Sequence, residues 1–356
     1  MKLQDLRAKI DAIDARMVEL LNRRTKLVQQ IGSLKKASGM NVLDPKREES
    51  LLASLETKNK GPLPQSALRA IYKEILATSR NVQKQFYVAC LGPEGSYSHQ
   101  AAQSRFGSEN QYIFCRTIPD IFSKVSKEEV DLAVIPIENS TEGGVNSAYD
   151  SFINTDLVIY GELYLRIQHM LCASEQHRAI QRIYSHPQAF GQCKQWLQNH
   201  YPYAELIEVS STSEGARRTV DDLDSAAITS ALSSEIHHLK ILSPAINDIV
   251  GNTTRFLVLS RTAAKPSRKD KTSLLFAVSH EIGALSQVLA IFSQSNLNLQ
   301  KIESRPAPLK AWEYLFFVDV SSNHQKPAFR KALQQIHKKT LWLKILGSYP
   351  EGNSHV

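Results

Sequence analysis

Arg24 interrupts an otherwise apolar seam. Leu3, Leu6, Ile10, Ile13, Met17, Leu20, Arg24, Leu27, Ile31 and Leu34 alternate spacings of three and four, the a/d pattern of helices packed lengthwise. A guanidinium buried without an anion is costly. Arg24 therefore points either to an anionic guest or to a polar residue that sets helix register. Lys35, 11 residues on, falls about 20° from the same azimuth, so both cations look into one interior space. Ser79 and Gln83 are an i, i+4 pair continuing the Leu68–Ile75 face of a later helix and are expected to point inward too. Asp44 and Glu48 bracket a helix start, with Arg47 between them. Asp44 reads equally as a helix N-cap, and Arg47 and Glu48 as a solvated helix face. The set contains no nucleophile, no metal-ligand spacing and no conventional base. It suits a small, multiply anionic ligand and a reaction that needs only orientation and charge stabilisation.

Other polar clusters stand in the rest of the chain. Gly92-Pro93-Glu94-Gly95-Ser96-Tyr97-Ser98 follows an apolar run and opens a helical one, as an anion-binding loop or a tight turn. Glu138, Asn139 and Ser140 head a stretch that closes on Gly143-Gly144, at the C-terminal end of an apolar run. A dense polar cluster there is what an α/β ligand crevice presents. Thr254, Arg255 and Phe256 enter another apolar run and by themselves would be an ordinary strand start. Gly283-Ala284-Leu285 and Glu303-Ser304-Arg305-Pro306 mark the last quarter; alone, the first of these is an ordinary helix start.

The elements that must position these residues fall into three groups. A helix of about 32 residues along the seam would be roughly 48 Å long, too long to bury that seam compactly against its own module. A partner helix from a second copy is the simplest cover, and we expect a homodimer through the N-terminal helices. Gly39 ends the helix, Asp44-Pro45 starts a second, and a third runs from Gln65 to Gln83. From Phe86 the period changes. Short apolar runs at Tyr87–Leu91, Leu132–Ile137, Leu157–Tyr160, Ile183–Tyr184, Leu206–Val209, Ala226–Ile228 and Phe256–Leu259 alternate with amphipathic stretches such as Ala189–Leu197 and Thr212–Val220. That predicts an α/β domain, in two lobes. After a polar linker, 263–270, the tail reads strand Ser273–Val278, helix Ile282–Phe292, strands Leu297–Ile302 and Trp312–Val320, helix Pro327–Ile336 and strand Leu341–Leu346: a ferredoxin-like βαββαβ order. The expected domains are 1–85, 86–262 and 271–356.

Bulk properties set the boundaries. The 356 residues are 42% hydrophobic and 22% charged, with a net charge of +8, ordinary values for a globular chain except for the basic balance. The charge is uneven. Residues 1–85 hold 17 basic and 9 acidic side chains, residues 86–262 hold 13 and 20, and residues 263–356 hold 13 and 6. No apolar run reaches a membrane span, and the charged stretch Met1–Ile10 is unlike a signal peptide. Cys90, Cys115, Cys172 and Cys193 form no CxxC pair and read as buried free thiols of a cytoplasmic protein. The histidines lack ligand spacing, so no structural zinc is expected. Arg24, Lys35 and Arg47 account for part of the first excess; Arg24 and Lys35 at one interior space point to a small anionic molecule, while the basic balance keeps nucleic acid open as a partner. The +7 of the last segment is expected to be solvated surface.

At this point the motifs carry a resemblance over nearly the whole chain. Leu6-Arg7-Ala8-Lys9-Ile10-Asp11, Leu20–Arg24, Lys35 and Asp44-Pro45-Lys46-Arg47-Glu48 resemble the all-helical chorismate mutase family. Arg7 lies 17 residues before Arg24 and about 100° away in azimuth, so one straight helix cannot easily bring both to one pocket. In the family the equivalent Arg comes from the other subunit. The resemblance implies that Arg7 and Arg24 clamp carboxylates, Lys35 and Gln83 bond the ether oxygen, Asp44 and Glu48 hold the hydroxyl side, and Arg47 and Ser79 complete the pocket around chorismate. Gly92–Ser98, Glu138–Gly144, Ser185-His186-Pro187-Gln188, Ser211-Thr212 and Asn252–Phe256 together resemble prephenate dehydratase, in a two-lobed, periplasmic-binding-protein-like domain. This implies loss of carbon dioxide and hydroxide from prephenate to give phenylpyruvate. Thr254 is implied as the essential residue, as proton donor or as orienting group. Arg255 is implied at the carboxylate side, Phe256 completes the motif, and Glu138, Asn139 and Ser140 line the crevice. The tail resembles the ACT regulatory domain, implying phenylalanine as allosteric inhibitor at Gly283, Ala284, Leu285, Glu303, Ser304, Arg305 and Pro306. The three modules in this order resemble the bifunctional chorismate mutase–prephenate dehydratase family, which implies small-molecule substrates rather than nucleic acid, and two sites that need neither a metal nor an organic cofactor. An arogenate-using dehydratase and a non-enzymatic amino-acid sensor with decayed sites are the alternatives. Two departures from the family pattern stand out: Ser234-Glu235-Ile236-His237-His238-Leu239, read as a surface change away from the crevice, and Gln300 where Ser or Thr is usual.

Overall fold

Seam periodicity, caps and turn residues produce three helices at the N-terminus. In the computed structural model, which describes residues 3–38, 44–306 and 314–352, these are α1 (Leu3–Ala37), α2 (Pro45–Lys58) and α3 (Gln65–Gln83). Side chains are described for all of these residues except Pro45 and Lys46. Gly39, the Lys46 side chain and residues 312–313 of the expected strand therefore lie outside the described residues. Asp44 caps α2 by accepting the Arg47 amide at 3.2 Å, with Pro45 in the first turn, where its missing N–H costs nothing. Gly32 is buried where α1 crosses α3. A Cβ there would come within 2.9 Å of Gln83 Cγ and 3.2 Å of Gln83 Cα, so only glycine lets the helices approach this closely. Along α1 the seam residues Leu3, Leu6, Ile10, Ile13, Met17, Leu20, Leu27, Ile31 and Leu34 are 41–69% exposed. Their periodicity builds the helix, but nothing among the described residues of the single chain covers them.

The chain divides into two compact units: residues 1–87 with 105–111, and residues 88–104 with 112–356. In the second, β1 (Tyr87–Leu91), β2 (Gln111–Cys115), β3 (Leu132–Asn139), β5 (Val158–Arg166) and β11 (Thr253–Ser260) form a sheet in the order β2-β1-β3-β11-β5, with the two-residue β4 (Gly143–Gly144) beside β3. β1 and β3 are parallel, whereas β11 runs antiparallel to both β3 and β5. A second sheet holds β6 (Met170–Ala173), β7 (Arg182–Ser185), β8 (Glu205–Glu208), β9 (Ser225–Thr229) and β10 (Lys240–Ser243) in the order β10-β6-β9-β7-β8. The chain crosses between the sheets twice, after β5 and before β11, so the two lobes are discontinuous in sequence. β2, β6 and β10 are absent from the apolar runs; they are four or five residues long, and β2 and β10 carry exposed polar positions. The expected helix Ala189–Leu197 is two, α4 (Pro187–Gln192) and α5 (Lys194–His200), broken at Cys193.

The third sheet comprises β12 (Asp270–Val278), β13 (Leu299–Pro306), β14 (Tyr314–Val320) and β15 (Trp342–Pro350), in the order β13-β14-β12-β15. α6 (Ala284–Gln294) and α7 (Pro327–His337) cover one face through Leu274, Phe276, Val288, Phe292, Val318, Phe329 and Ile336. All nine residues of β12 are buried, because the other face lies against the first lobe. There Phe317 meets Tyr149 and Phe152 ring to ring. Gly347, at φ +149°, lets β15 approach the β5 backbone so closely that a Cβ would fall 2.4 Å from the Ile159 carbonyl.

Here the expectation of a solvated basic tail is corrected. Lys271 pairs with Glu162 at 2.8 Å, Lys301 with Glu138 at 2.6 Å and Arg305 with Asp150 at 3.1 Å. Lys344 donates to the carbonyls of Phe152, Ile153 and Thr155. Part of the positive excess of the tail thus faces the acidic excess of the middle segment. Opposite charges on two domains of one chain fix their register.

Candidate functional site

In the helical unit, Arg24 Nη1 donates to Ser79 Oγ, and Ser79 Oγ in turn donates to the Ile75 carbonyl at 2.5 Å. Gln83 Nε2 donates to the Ser79 carbonyl at 2.9 Å, which leaves its Oε1 buried without a partner. Lys35 is half-buried on the same helix as Arg24. Glu48 is held at 2.7 Å by Arg80, whose side chain is 4% exposed. Arg24, Ser79 and Gln83 are therefore joined by hydrogen bonds. Arg7 is exposed and about 25 Å along the helix axis from Arg24, so one chain does not bring the two arginines together. Arg47 is exposed, and Asp44 is occupied as a cap. Sequence reasoning missed Arg80. Its position one residue after Ser79, on the buried Leu76–Gln83 face of an amphipathic helix, was the available signal.

The second candidate site lies between the lobes. Asn139, at the end of β3, accepts through Oδ1 from the backbone N–H of Thr141 at 2.9 Å and of Glu142 at 3.2 Å, and from Thr141 Oγ1 at 2.6 Å. Two backbone donors can meet only an oxygen, so the amide orientation is fixed. Asn139 Nδ2 consequently donates to Thr254 Oγ1 and to Asn252 Oδ1, both at 2.8 Å. Asn252 Nδ2 donates to Gln192 Oε1 at 3.0 Å, which also meets His169 Nε2 at 2.8 Å. Burial lowers the basicity of His169, and its bond to Gln192 only partly offsets that. Tyr97 OH reaches His169 Nδ1 at 2.8 Å. Ser140 exchanges backbone and side-chain bonds with Thr253. Phe256 is fully buried.

Arg255 and Glu138 do not share the Thr254 side of the sheet. Arg255 bonds Glu162, Asp319 and Tyr349, and Glu138 meets Lys301. Gln192, Asn252 and His169 are the participants that sequence analysis did not single out as site residues; two come from the other side of the lobe boundary, so no local spacing links them.

The Gly92–Ser98 loop is bound across the same gap. Ser213 Oγ donates to the Glu94 carbonyl, and Ser230 Oγ to the Gly95 carbonyl at 2.8 Å. Gly95 has φ +78°, and a Cβ there would meet Ser213 Oγ at 2.9 Å. His186 and Ser211 act as helix caps. The atypical stretch ends a short helix, with His238 exposed. His237, however, is half-buried; burial lowers its basicity and the nearby Glu94 carboxylate opposes this. The stretch therefore borders the loop rather than standing clear of it.

His99 gives this loop an acid limit. Its Nδ1 accepts the Gly95 N–H at 3.1 Å, and its ring packs edgewise on Tyr112 and Phe114. Burial pushes its pKa down to about 4. An unfolded histidine titrates near 6.5, so the unfolded chain takes up the proton first as pH falls. The contribution of neutral His99 is complete above about pH 6.5 and is lost toward about pH 4, by about 3 kcal/mol. Denaturant unfolding between pH 7 and 4.5 is expected to show this loss, reduced in His99→Asn. An equal loss in the variant would assign it to other groups.

In the third part, Gly283 takes the left-handed conformation, φ +81°, before α6, and Ala284 and Leu285 pack on the sheet core. Along β13, Lys301, Glu303 and Arg305 are half-buried, whereas Ser304 and Pro306 alternate to the exposed face. Gln300 is exposed and donates to Glu351 at 2.8 Å. Within the single chain the expected regulatory residues are thus divided between two strand faces and a helix start. The four cysteines are buried and unbridged.

Three known families match in succession along the chain. The family model for chorismate mutase type II matches residues 6–84, that for prephenate dehydratase residues 88–264, and that for the ACT domain residues 272–338. A bifunctional chorismate mutase/prephenate dehydratase of Aquifex aeolicus is 40% identical over 355 residues, covering 98% of each chain. A solved prephenate dehydratase from Arthrobacter aurescens in complex with L-Phe is 31% identical, with a TM-score of 0.69, covering 75% of this chain and 90% of that one. A solved protein described as a novel type of quorum-quenching acylase, GqqA, is 26% identical with a TM-score of 0.68, covering 74% of this chain and 98% of that one. Fold likeness alone does not separate activities; the order of three modules over 98% of the chain does.

Proposed function

The chain belongs to the bifunctional chorismate mutase/prephenate dehydratase family, and from that premise we propose how its parts divide the work. The protein rearranges chorismate to prephenate, and converts prephenate to phenylpyruvate with loss of carbon dioxide and hydroxide. The mutase step breaks a carbon–oxygen bond and forms a carbon–carbon bond within one molecule, so a protein accelerates it by holding a compact conformer and balancing charge. Arg24 and Lys35 supply fixed positive charge, Gln83 a donor toward the ether oxygen, and Arg80 keeps Glu48 in place. Arg7 completes the clamp from the second subunit. The exposed α1 seam supports this homodimer, since such a stripe is otherwise left in water.

The dehydratase step needs a proton, or strong hydrogen bonding, at the departing hydroxyl. The observation that carries the reading is the fixed direction of the Asn139 amide. Because Asn139 donates to Thr254 Oγ1, the threonine's own proton is free to be donated onward, and a hydroxyl that accepts a bond becomes a better donor. Departure of carbon dioxide supplies the electron pair that expels the hydroxyl. Asn252, Gln192 and His169 hold Asn139 from behind, and Ser140 ties the loop to β11. The L-Phe complex of the related dehydratase supports phenylalanine as the ligand of the C-terminal domain and as feedback inhibitor, through Gly283–Leu285 and Glu303–Pro306.

The test is a chorismate feed to the purified full-length chain, following prephenate and phenylpyruvate together, with and without phenylalanine. Prephenate is expected to appear first and phenylpyruvate to follow, with phenylalanine suppressing the second step. A chain inert on both chorismate and prephenate would be a sensor, and preference for arogenate over prephenate would reassign the dehydratase.

A further inference from the structure

The side chains behind the Asn139–Thr254 pair belong to a separate set of contacts. In the β3–β11 ladder Thr254 stands opposite Asn139, and Arg255 opposite Glu138. Successive side chains of a strand point to opposite faces. Thr254 and Asn139 meet on the crevice side, while Arg255 and Glu138 emerge on the back, and both end on the C-terminal sheet.

Arg255 Nε donates to Glu162 Oε2 at 2.8 Å, Nη1 to Asp319 Oδ2 at 2.5 Å and Nη2 to Tyr349 OH at 3.1 Å. Lys271 returns from β12 to Glu162 at 2.8 Å. These two cations and two carboxylates are at most 5% exposed. Asp319, Tyr349 and Lys271 belong to the C-terminal sheet, and Arg255 and Glu162 to the first lobe. On the same rung as Arg255, Glu138 meets Lys301 of β13 at 2.6 Å, and Lys301 is 11% exposed. A buried ion pair adds little net stability over an apolar replacement, but a forked guanidinium bond fixes direction closely.

We infer that Glu138 and Arg255 are positioning residues, through which the C-terminal sheet sets the Asn139–Thr254 hydrogen bond from the reverse face of the same two strands. The inference rests on the reading of Thr254 as the dehydratase hydroxyl. It gives Glu138 and Arg255 a role other than substrate contact. It also gives a ligand of the C-terminal domain a short physical route to the crevice: displacing β13 or β14 pulls on the residues adjacent to Asn139 and Thr254. Small displacements of a reacting group carry large rate effects.

Arg255→Ala would take the guanidinium from two buried carboxylates, leaving Asp319 without a cation, and risks the fold, so the test starts at the rim. In the full-length chain, Lys301→Met is expected to lower kcat for prephenate roughly 2- to 30-fold, with KM little changed and chorismate turnover intact, and to blunt the response to L-phenylalanine. The exchanged pair, Lys301→Glu with Glu138→Lys, is expected to recover most of kcat. Asp319→Asn probes the second anchor in the same way, and the rim variants stand if it fails to fold. Unchanged kcat and phenylalanine response in Lys301→Met would overturn the inference. So would an exchanged pair that turns over no better than Glu138→Lys alone, since that would make Glu138 a substrate contact. Wild-type protein inert on prephenate would instead remove the dehydratase reading itself, which separates the two failures.

Discussion

Replacing Thr254 by valine should lower turnover of prephenate by about 10²- to 10⁴-fold, the usual range for one positioned acid–base group, while chorismate is still rearranged at the wild-type rate. Valine keeps the shape of threonine and removes only the hydroxyl, so the side chain still fills its buried position. What is lost is one oxygen that accepts from Asn139 at 2.8 Å and the proton it carries toward the substrate. Thr254→Ser retains both and should recover much of the rate. In the valine variant Asn139 has one donor hydrogen without its acceptor, which costs on the order of 1–3 kcal/mol if it stays dry, so a modest fall in thermal stability is expected as well. Steady-state kcat and KM for prephenate, measured beside the mutase rate on one preparation, decide the matter. Valine within about threefold of wild type in kcat would remove Thr254 from the chemistry.

The second large effect is at Arg24. Arg24→Ala should cost the mutase about 10²- to 10³-fold, the usual loss for one charge-stabilising donor in a preorganised site, and leave prephenate turnover unchanged. Arg7→Ala should behave alike, although Arg7 lies about 25 Å away along the same helix. The two variants together give a sharper test. If each site takes Arg24 from one chain and Arg7 from the other, neither homodimer contains a complete site. A hybrid of the two inactive variants contains one intact site and one doubly altered site. Statistical exchange of an equal mixture makes about half the dimers hybrids, so about a quarter of wild-type mutase activity should return. No recovery after unfolding and refolding the mixture would mean that Arg7 acts within its own chain or not at all.

Much of this was legible in the residues. The a/d spacing from Leu3 to Leu34 requires a long helix because no other element repeats at 3.5 residues, and Asp44-Pro45 starts α2 because a cap and a proline are both satisfied only there. α3 runs from Gln65 to Gln83 as expected, since Pro64 precedes it and the apolar face continues to its end. The strands with strong apolar runs were legible for the same reason. Short edge strands were not: Gln111–Cys115 and Lys240–Ser243 are held by their neighbours rather than by their own pattern.

The motifs carried the chemistry further than the spacing did, but not its direction. Thr254, Arg255 and Phe256 are consecutive, and nothing in that order says that the threonine faces Asn139 while the arginine faces Asp319. That division follows from the pleat, once the strand has two neighbours. Lys271, Lys301, Arg305 and Lys344 likewise read as a surface charge excess, because attraction between domains has no local pattern. Composition, periodicity and motif order by themselves determined the three modules, the long seam and the residue types available for each reaction, since those depend on neighbours along the chain. Only the tertiary structure decided which side of β11 each motif residue serves, that Gln192 and Asn252 brace Asn139, and that the basic tail is folded onto the acidic middle. Those outcomes depend on distances between residues more than 50 positions apart, which only the packing of the folded chain sets.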